Sequence, residues 1–387
     1  MGLKEELKDN SIIKKYRTQL IDSYVEQYGE KYRKLITENF DKIKFCFYIS
    51  SDYFIYKQLM YQDLYHIYAV QLLNDLGISD VQYNGSYIES DRAELVEKLL
   101  NLIYSKINSN VISYDIFASF TKKNVTDFNN QDINFIEEIT NRNIQEVIDV
   151  ANGYISKIID LNVEKEIHDA YEKCINYERK LDEDFSQYIL NDFDINQFAY
   201  PERIKKMLCA DFAIGTSYME LCKDGTYIPV AYIQPFSSKY RNIDVILDHE
   251  VRHCIEMYLN ENNYLKSGLS YSNAPNDTAN KFESKFRDIN EIMTQKMSVE
   301  STKKRHDNNI FILTEKIFYD ILKEKFRTTG YDRDIPLFDE LVDEDLYDVL
   351  VEARINETYP QALEEEIERI ERAMFADEHE KPAIRKQ

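Results

Sequence analysis

The chain has 387 residues, of which 70 are acidic and 48 basic, so its formal net charge is −22 at pH 7. This excess of negative charge repels nucleic acid phosphates and anionic lipid, which disfavours both as general partners. The few glycines form no G-x-G-x-x-G or Walker-type segment, so a nucleotide-binding glycine loop is not expected. Hydrophobic residues make up 43%, which suffices for one large or two ordinary domains.

The cysteines and the N-terminus indicate the compartment. The five cysteines are scattered without a C-x-x-C pair, which is typical of free thiols in a reducing compartment. The first residues, MGLKEELKDN, lack the apolar core of a secretory signal, and no apolar run is long enough to span a bilayer. We therefore expect a cytoplasmic protein without membrane insertion. Export without a cleaved signal stays open, and the oligomeric state is not indicated.

Residues 1–195 are predicted to be a mainly α-helical region. Apolar residues recur at steps of three or four from residue 3 to about 46. Further helical patterns cover Asp52–Gly77, Leu95–Ile107, Ile133–Ile159 and Glu164–Leu190. His66 and His168 lie in these helices without a partner at metal spacing, so we interpret both as packing or surface residues. No catalytic group of residues is recognisable in this half, and its role is not indicated.

The pattern changes after Asn191–Pro201, a stretch rich in Asp and Asn that we interpret as a domain boundary. Phe212–Leu221 and Tyr227–Gln234 are predicted strands, joined by a turn at Lys223–Gly225. Pro229 lies inside the second strand, which predicts an edge strand or a bulge because proline has no N–H to donate. An edge strand can pair with an extended peptide. A plain hairpin packed on helices is an equally good interpretation.

The next segment, DHEVRHCIEMYLN from Asp248 to Asn260, is a predicted helix that carries the pattern H-E-x-x-H. His249 and His253 are one helical turn apart, so both imidazoles can face one metal ion. Glu250 is offset by roughly 100°, so it can lean towards that ion and act as general base on a metal-bound water. Apolar residues around the motif indicate a buried helix. The alternative is an accidental pattern on a surface helix.

Zinc usually takes three protein ligands and a water, so a third ligand is needed. Glu256 shares the face of the histidines but lies a further turn along the helix. His306 stands in the charged stretch KKRHDNN, which we expect to be exposed. Glu291 lies near the start of an amphipathic helix that follows a predicted loop, Asn262–Asn280. Because a second, antiparallel helix can present one carboxylate to the first, Glu291 is the best candidate.

The H-E-x-x-H helix followed by Glu291 within NEIMTQ resembles the gluzincin metallopeptidases. The second helix of that family carries the pattern N-E-x-x-[ST]-D, whose Glu is the third zinc ligand. Asn290, Glu291 and Thr294 match this pattern. Gln295 stands where the family has an Asp that steadies a zinc histidine.

This departure from the family puts the support of the histidine in doubt. Asp248 or Asp288 could substitute, since a metal-bound imidazole usually donates its other N–H to a carboxylate or carbonyl.

The resemblance covers about residues 212–300 and implies a zinc-dependent endopeptidase that acts on a protein or peptide substrate. Its Zn²⁺ would be held by His249, His253 and Glu291, and Glu250 would be the general base. Gluzincins also stabilise the oxyanion with a His, Tyr or Arg from a later helix.

In this chain the later helix could be Asp343–Ile355, where Tyr347 and Arg354 share a face. Core packing of Tyr347 and a surface salt bridge of Arg354 are equally good interpretations, and His306 is a third option.

The predicted fold is mainly α with a small β-sheet (α+β). It comprises the helical region 1–195, a zincin-like metallopeptidase domain over 196–360 and a charged helical tail over 361–387. Two other functions stay open: a non-enzymatic helical interaction protein, and a metal hydrolase that acts on a non-peptide amide.

Overall fold

The computed structural model describes residues 6–49, 70–78, 82–83, 88–89, most of 134–150, 188–209, 215–235, 242–259, 264–273, 285–314, 316 and 330–380. The chain forms two compact units. Leu3–Ser51 and Tyr177–Gln387 make the first unit, and Asp52–Asn176 makes the second. The predicted boundary at residue 195 lies inside the first unit. The first 51 residues therefore belong with the H-E-x-x-H helix rather than with the rest of the N-terminal half.

The described residues are mainly helical with small sheets, which confirms the predicted α+β class. The helices are α1 (Ser11–Tyr28), α2 (Arg33–Lys42), α3 (Pro201–Cys209), α4 (Ile243–Ile255), α5 (Arg287–Asp307), α6 (Ile335–Leu341), α7 (Glu344–Ile355) and α8 (Gln361–Glu380). Side-chain caps begin two of them: Asn242 accepts from the backbone N–H of Asp244, and Asp343 accepts from that of Leu346.

The described strands form three small sheets. They are β1 (Lys44–Phe47), β2 (Gln82–Tyr83), β3 (Ile88–Glu89), β4 (Gly215–Leu221), β5 (Tyr227–Ile233), β6 (Met257–Leu259), β7 (Tyr264–Ser267) and β8 (Ser270–Asn273). The sheet beside the H-E-x-x-H helix has the strand order β1-β5-β4. Strands β4 and β5 are the predicted antiparallel hairpin, whereas β1 runs parallel to β5.

Strand β1 corrects the prediction of helix up to residue 46. Phe45, Cys46 and Phe47 are buried, and Lys44 pairs with Val230 at the start of the ladder with β5. This partner lies far along the chain, so local periodicity could not reveal it. Beyond β1, Asn191 covers the sheet edge: its amide donates to the Phe45 carbonyl at 2.8 Å, and its oxygen accepts from the Phe47 N–H at 3.0 Å.

The position of Pro229 also corrects a prediction. Strand β5 is the central strand of its sheet, not an edge strand. Pro229 pairs with Met219 of β4 and lies one residue before the first pair with β1 at Val230. A donor is therefore not needed on the β1 side at that position, so the central strand tolerates the proline. In the described part of the sheet, β4 is the outer strand.

The segment after the H-E-x-x-H helix differs from the prediction of helix to Asn260 and loop to Asn280. Helix α4 ends at Ile255, and β6, β7 and β8 follow as an antiparallel meander. At the turn between β7 and β8, Gly268 has a φ of 60°, which favours glycine.

Helix α4 lies in the core of the first unit. All its residues are buried, which confirms the predicted buried helix. It packs against β4 and β5 on one side and α5 on another. Helix α1 reaches the back of α5, where Gln27 donates to the Met297 carbonyl at 3.0 Å and Arg305 donates to Ser23 at 2.8 Å. The N-terminal helix thus supports the two helices that carry the predicted metal ligands.

In the second unit, a described helical segment ends before Gly77, whose φ of 87° suits the predicted helix end. Strands β2 and β3 form a hairpin, and the described residues among 134–140 and 144–150 are helical, on either side of Asn141, where φ is 49°. The predicted helix Leu95–Ile107 and the predicted break near Gly153 lie outside the described residues. So do His66 and His168, most of the predicted helices Asp52–Gly77 and Glu164–Leu190, and Cys174.

The C-terminal segment is helical, as predicted for the tail. Helix α8 buries Leu363, Ile367 and Ile370 and packs against α5 and α6. The three cysteines whose side chains are described, Cys46, Cys222 and Cys254, are free thiols. Among the helices described here, none combines the length and the apolar composition that crossing a membrane requires.

Candidate metal centre

The structure brings the three predicted ligands together between α4 and α5. The Nε2 atoms of His249 and His253 are 3.1 Å apart. The Oε2 atom of Glu291 lies 3.0 Å from Nε2 of His249 and 3.4 Å from Nε2 of His253. Within the described residues, this is the one group of three or more His, Cys, Asp and Glu side chains whose ligand atoms converge in this way.

These separations fit a zinc ion. Ligand atoms bound tetrahedrally at about 2.0–2.1 Å from zinc lie roughly 3.3 Å from one another. The separations of 3.0, 3.1 and 3.4 Å between the three ligand atoms are close to that value. The donor set of two imidazoles and one carboxylate is also that of hydrolytic zinc sites. Both histidines are buried and Glu291 is partly exposed, so the centre is open to solvent on the Glu291 side.

The opposite charges of His249 and Glu291 shift the pKa values of both groups. Burial opposes protonation of His249, but the hydrogen bond and negative charge of Glu291 outweigh it and raise the pKa of His249. Burial would raise the pKa of Glu291, but the two histidines outweigh it and hold that pKa well below its usual range. Glu291 is therefore an ionised carboxylate, as a zinc ligand must be.

Behind the centre, Gln295 itself supports His249. Its Oε1 lies 3.2 Å from Nδ1 of His249, and its Nε2 donates to Oδ1 of Asp332 at 3.0 Å. The residue that departs from the family pattern therefore occupies the supporting position. Oγ of Ser267 lies 3.5 Å from Nδ1 of His253, which is long for a hydrogen bond.

The two predicted substitutes for this support lie elsewhere. Asp248 is fully buried and paired with Arg252 at 2.9 Å and Arg305 at 2.8 Å. Burial alone would raise the pKa of Asp248, but the two guanidinium groups lower it. Asp288 faces the hydroxyl of Tyr331 at 3.5 Å. Asp248 thus anchors the back of α4 to α5, and the described contacts of both carboxylates are with residues other than His249 and His253.

Glu250, the predicted general base, is buried beside β4. Burial raises the pKa of Glu250. The charges of His249 and His253 lower it, but the effect of burial is larger, so the pKa is raised overall. Ser217 donates a hydrogen bond to it. A Cβ atom at Gly215 would lie 2.7 Å from Cγ of Glu250 and 2.6 Å from Cγ2 of Ile246. Glycine at 215 therefore allows strand β4 to approach Glu250 closely, a requirement that the sequence did not reveal.

The other two candidates for the third ligand have different partners. Glu256 is fully buried and forms a salt bridge with Arg354 at 2.8 Å. His306 was expected to be exposed, but it is buried, and its Nε2 lies 2.7 Å from Oδ2 of Asp244. Because α5 continues to Asp307, His306 lies on its inner face, where it joins Asp244 at the start of α4. It is hydrogen-bonded to Asp244 and is not part of the group formed by His249, His253 and Glu291.

The predicted oxyanion donors are not placed at the centre. All three nitrogens of the Arg354 guanidinium are used by Glu256, Asn290 and Thr294. This geometry contradicts the donor role of Arg354 and also its alternative as a surface salt bridge. Tyr347 is mostly buried with its ring 5.4 Å from Nζ of Lys296, and burial raises its pKa to about 12. The described contacts of Tyr347 favour its alternative role in packing.

Tyr331, which was not predicted, has its hydroxyl 3.5 Å from Asp288 and is influenced by the negative charge of Glu291. It belongs to the short 3-10 turn Gly330–Arg333, which packs against α5. Burial, then the negative charges of Glu291 and Asp288, raise its pKa to about 12. It is therefore a neutral hydroxyl near the third ligand. The chain has 30 tyrosines, and no local pattern distinguishes this one.

We compared the chain with protein-family models, with curated proteins and with solved structures, and no match was found in any of the three. The candidate function therefore depends on the geometry of the centre and on the chain's own residues.

Proposed function

We propose that the protein is a zinc-dependent peptidase with a zincin-like catalytic unit. The observation that carries the proposal is the convergence of His249, His253 and Glu291, with ligand-atom separations of 3.0 to 3.4 Å. A structural zinc site would usually be closed by four protein ligands, whereas three ligands with one partly exposed leave room for a water. Glu250 next to this centre supports a hydrolytic role rather than simple metal binding.

In this proposal His249, His253 and Glu291 hold the ion. When bound, zinc would lower the pKa of a water molecule and polarise the carbonyl group of the substrate. Glu250 would take a proton from the attacking water and deliver it to the leaving amine. Its raised pKa suits this exchange, because a base with a pKa nearer neutrality can also return the proton.

The position of β4 favours a peptide as the substrate. It is one of the two outer strands of its sheet in the described part of the chain, and Gly215 and Ser217, at its start, lie beside Glu250. An extended peptide can add to such an edge through backbone hydrogen bonds. A small non-peptide amide would need no strand at this position. This arrangement therefore favours an endopeptidase over the non-peptide hydrolase.

Tyr331 is our candidate for the oxyanion donor in place of Arg354. Burial and the negative charges of Glu291 and Asp288 raise its pKa to about 12, so its hydroxyl keeps its proton to a higher pH than that of an ordinary tyrosine. A donor positioned near the metal ligands can stabilise the negative oxygen that forms as water attacks. The same segment carries Asp332, which contacts Gln295 behind the centre.

Metal content and peptide cleavage test the proposal. The purified wild type should contain about one zinc ion per chain, and His253→Ala should lose it, because two ligands hold zinc too weakly. Glu250→Gln should retain zinc but lose cleavage of a peptide library. Glu300→Gln, an exposed carboxylate elsewhere on α5, should leave both unchanged. A wild type that takes up no zinc, or a Glu250→Gln variant that cleaves normally, would contradict the proposal.

A further inference from the structure

Gln295 is a fully buried amide held between two groups. On one side its Oε1 lies 3.2 Å from Nδ1 of His249, and on the other its Nε2 lies 3.0 Å from Oδ1 of Asp332. The three side chains form a line from the turn Gly330–Arg333 through α5 to α4. A buried amide of this kind has one orientation in which its NH₂ group donates to the carboxylate, whereas the flipped orientation places its carbonyl oxygen against that carboxylate.

Asp332 decides that orientation. A carboxylate only accepts hydrogen bonds, so the NH₂ end of the Gln295 amide must face it. The carbonyl end of Gln295 then faces His249 and can only accept. Nδ1 of His249 must therefore carry the hydrogen, which leaves the lone pair of the neutral imidazole on Nε2. Nε2 is the atom that lies 3.0 Å from Glu291 and 3.1 Å from Nε2 of His253.

We propose that Asp332 is a positioning residue that acts through Gln295 to fix the tautomer of His249 that can bind zinc. This inference rests on the proposed zinc centre. Removal of Asp332 removes the carboxylate that requires the NH₂ end of Gln295, so the orientation that presents this NH₂ end to Nδ1 is no longer opposed by a negative charge. That orientation would favour the tautomer with the hydrogen on Nε2, which has no lone pair for the metal.

The neutral amide also distinguishes this centre from one supported directly by an aspartate. An ionised acceptor on the far nitrogen makes an imidazole a more basic ligand than a neutral acceptor does. Here the negative charge stands one group further away, on Asp332. The variant Gln295→Glu combined with Asp332→Asn exchanges the two groups, because the new amide at 332 can donate to the new carboxylate at 295. We expect this double variant to bind zinc more tightly than the wild type.

A double-mutant cycle on zinc affinity tests the inference, with the full-length protein and a chromophoric chelator as competitor at pH 7.5. We expect Asp332→Ala to weaken zinc binding about tenfold, as loss of outer support typically does. Gln295→Leu should weaken it by about 10- to 100-fold. Asp332→Ala should have no further effect in the Gln295→Leu background, because it acts through that amide. Asp334→Ala is the matched control, since its side chain makes no cap hydrogen bond to α6.

A second measurement separates positioning from a general loss of structure. In protein labelled with ¹⁵N-histidine, the zinc-bound wild type should show a protonated Nδ1 at His249, and zinc-loaded Asp332→Ala should show faster exchange of that proton. Circular dichroism of each variant checks that it is folded.

Zinc binding by Asp332→Ala within twofold of the wild type would overturn the inference and leave the zinc centre standing. The inference would also be overturned, with the zinc centre left standing, if Asp332→Ala weakened zinc binding as much in the Gln295→Leu background as in the wild type. A wild type that binds no zinc would instead overturn the zinc centre and the inference together.

Discussion

Arg354 and Glu256 form a bidentate ion pair that is buried from solvent. Nε of Arg354 lies 3.0 Å from Oε1 of Glu256, Nη2 lies 2.8 Å from Oε2, and both side chains are fully buried. Nη1 donates to the backbone and side-chain oxygens of Asn290, the residue before Glu291. Two residues that seemed chemical candidates in the sequence are thus partners of each other. Together they fix the position of the start of α5, next to Glu291.

We expect Arg354→Ala to lower the free energy of unfolding by about 3–5 kcal/mol, because it leaves Glu256 buried without its partner. Urea unfolding of the purified variant measures this effect. Arg369→Ala removes an exposed bidentate pair with Glu366 and should change stability far less, because solvent screens that pair. If both variants lose the same stability, the buried pair does not have the role that we assign to it.

Gly215→Ala tests the approach of β4 to the proposed base. The new methyl group would lie 2.7 Å from Cγ of Glu250 and 2.9 Å from its Oε1, so Glu250 must move. A displacement of this size should lower peptide hydrolysis about 100-fold, while zinc content stays at the wild-type level. Thr216→Ala, at the next position and therefore on the other face of the strand, is the control. Unchanged hydrolysis by Gly215→Ala would show that Glu250 is not confined by β4.

Zinc binding should depend on pH through His249. The raised pKa of His249 means that the metal-free protein keeps this proton to a higher pH than free histidine does. The stabilisation from the His249–Glu291 pair is thus fully present below the ordinary histidine pKa of about 6.5 and is lost as the pH rises through the raised value. Glu291, with its lowered pKa, stays ionised throughout this range.

Zinc must displace the His249 proton, so its apparent affinity should rise by up to about tenfold per pH unit between pH 6 and the raised pKa. Isothermal titration calorimetry at pH 6 in two buffers of different ionisation enthalpy should detect the release of about one proton. Binding that is independent of pH, with no proton released, would contradict this coupling.

The buried ammonium group of Lys266 should make the free energy of unfolding depend on pH. It is 2% exposed, its Nζ donates to the carbonyls of Ala353 and Arg354, and burial lowers its pKa to about 7. The unfolded chain keeps this proton up to about pH 10.4, so it binds more protons than the folded chain between those values. The free energy of unfolding should therefore rise with pH above 7, by about 1 kcal/mol per unit from this group.

Lys266→Met should remove that contribution, which urea unfolding at pH 7, 8 and 9 can measure. Lys285→Met is the control, because Lys285 is exposed and paired with Glu364 at the surface. If the wild type and Lys266→Met change in parallel with pH, the ammonium group is not buried as the structure indicates.

Local spacing along the chain was enough to identify His249, Glu250 and His253, because ligands one turn apart on a helix are defined by that helix alone. The buried character of α4 and the β4–β5 hairpin were also predictable from apolar patterns and turn residues. Glu291 was harder, since it required an assumption that a second helix returns to the first. The structure places its carboxylate at the two histidines, as that assumption requires.

Other features depended on contacts between distant parts of the chain, and only the tertiary structure could decide them. Strand β1 exists because β5 lies beside it, and Pro229 is tolerated in a central strand because the pairing with β1 begins one residue later. Arg354 and Glu256 neutralise each other, although 97 residues separate them in the chain, and His306 turns inward to Asp244. Asp332 lies in the turn Gly330–Arg333 and contacts Gln295 on α5. A hydrogen bond or ion pair depends on separation in space to within a fraction of an ångström, and residue spacing along the chain specifies such distances only within a single helix or strand.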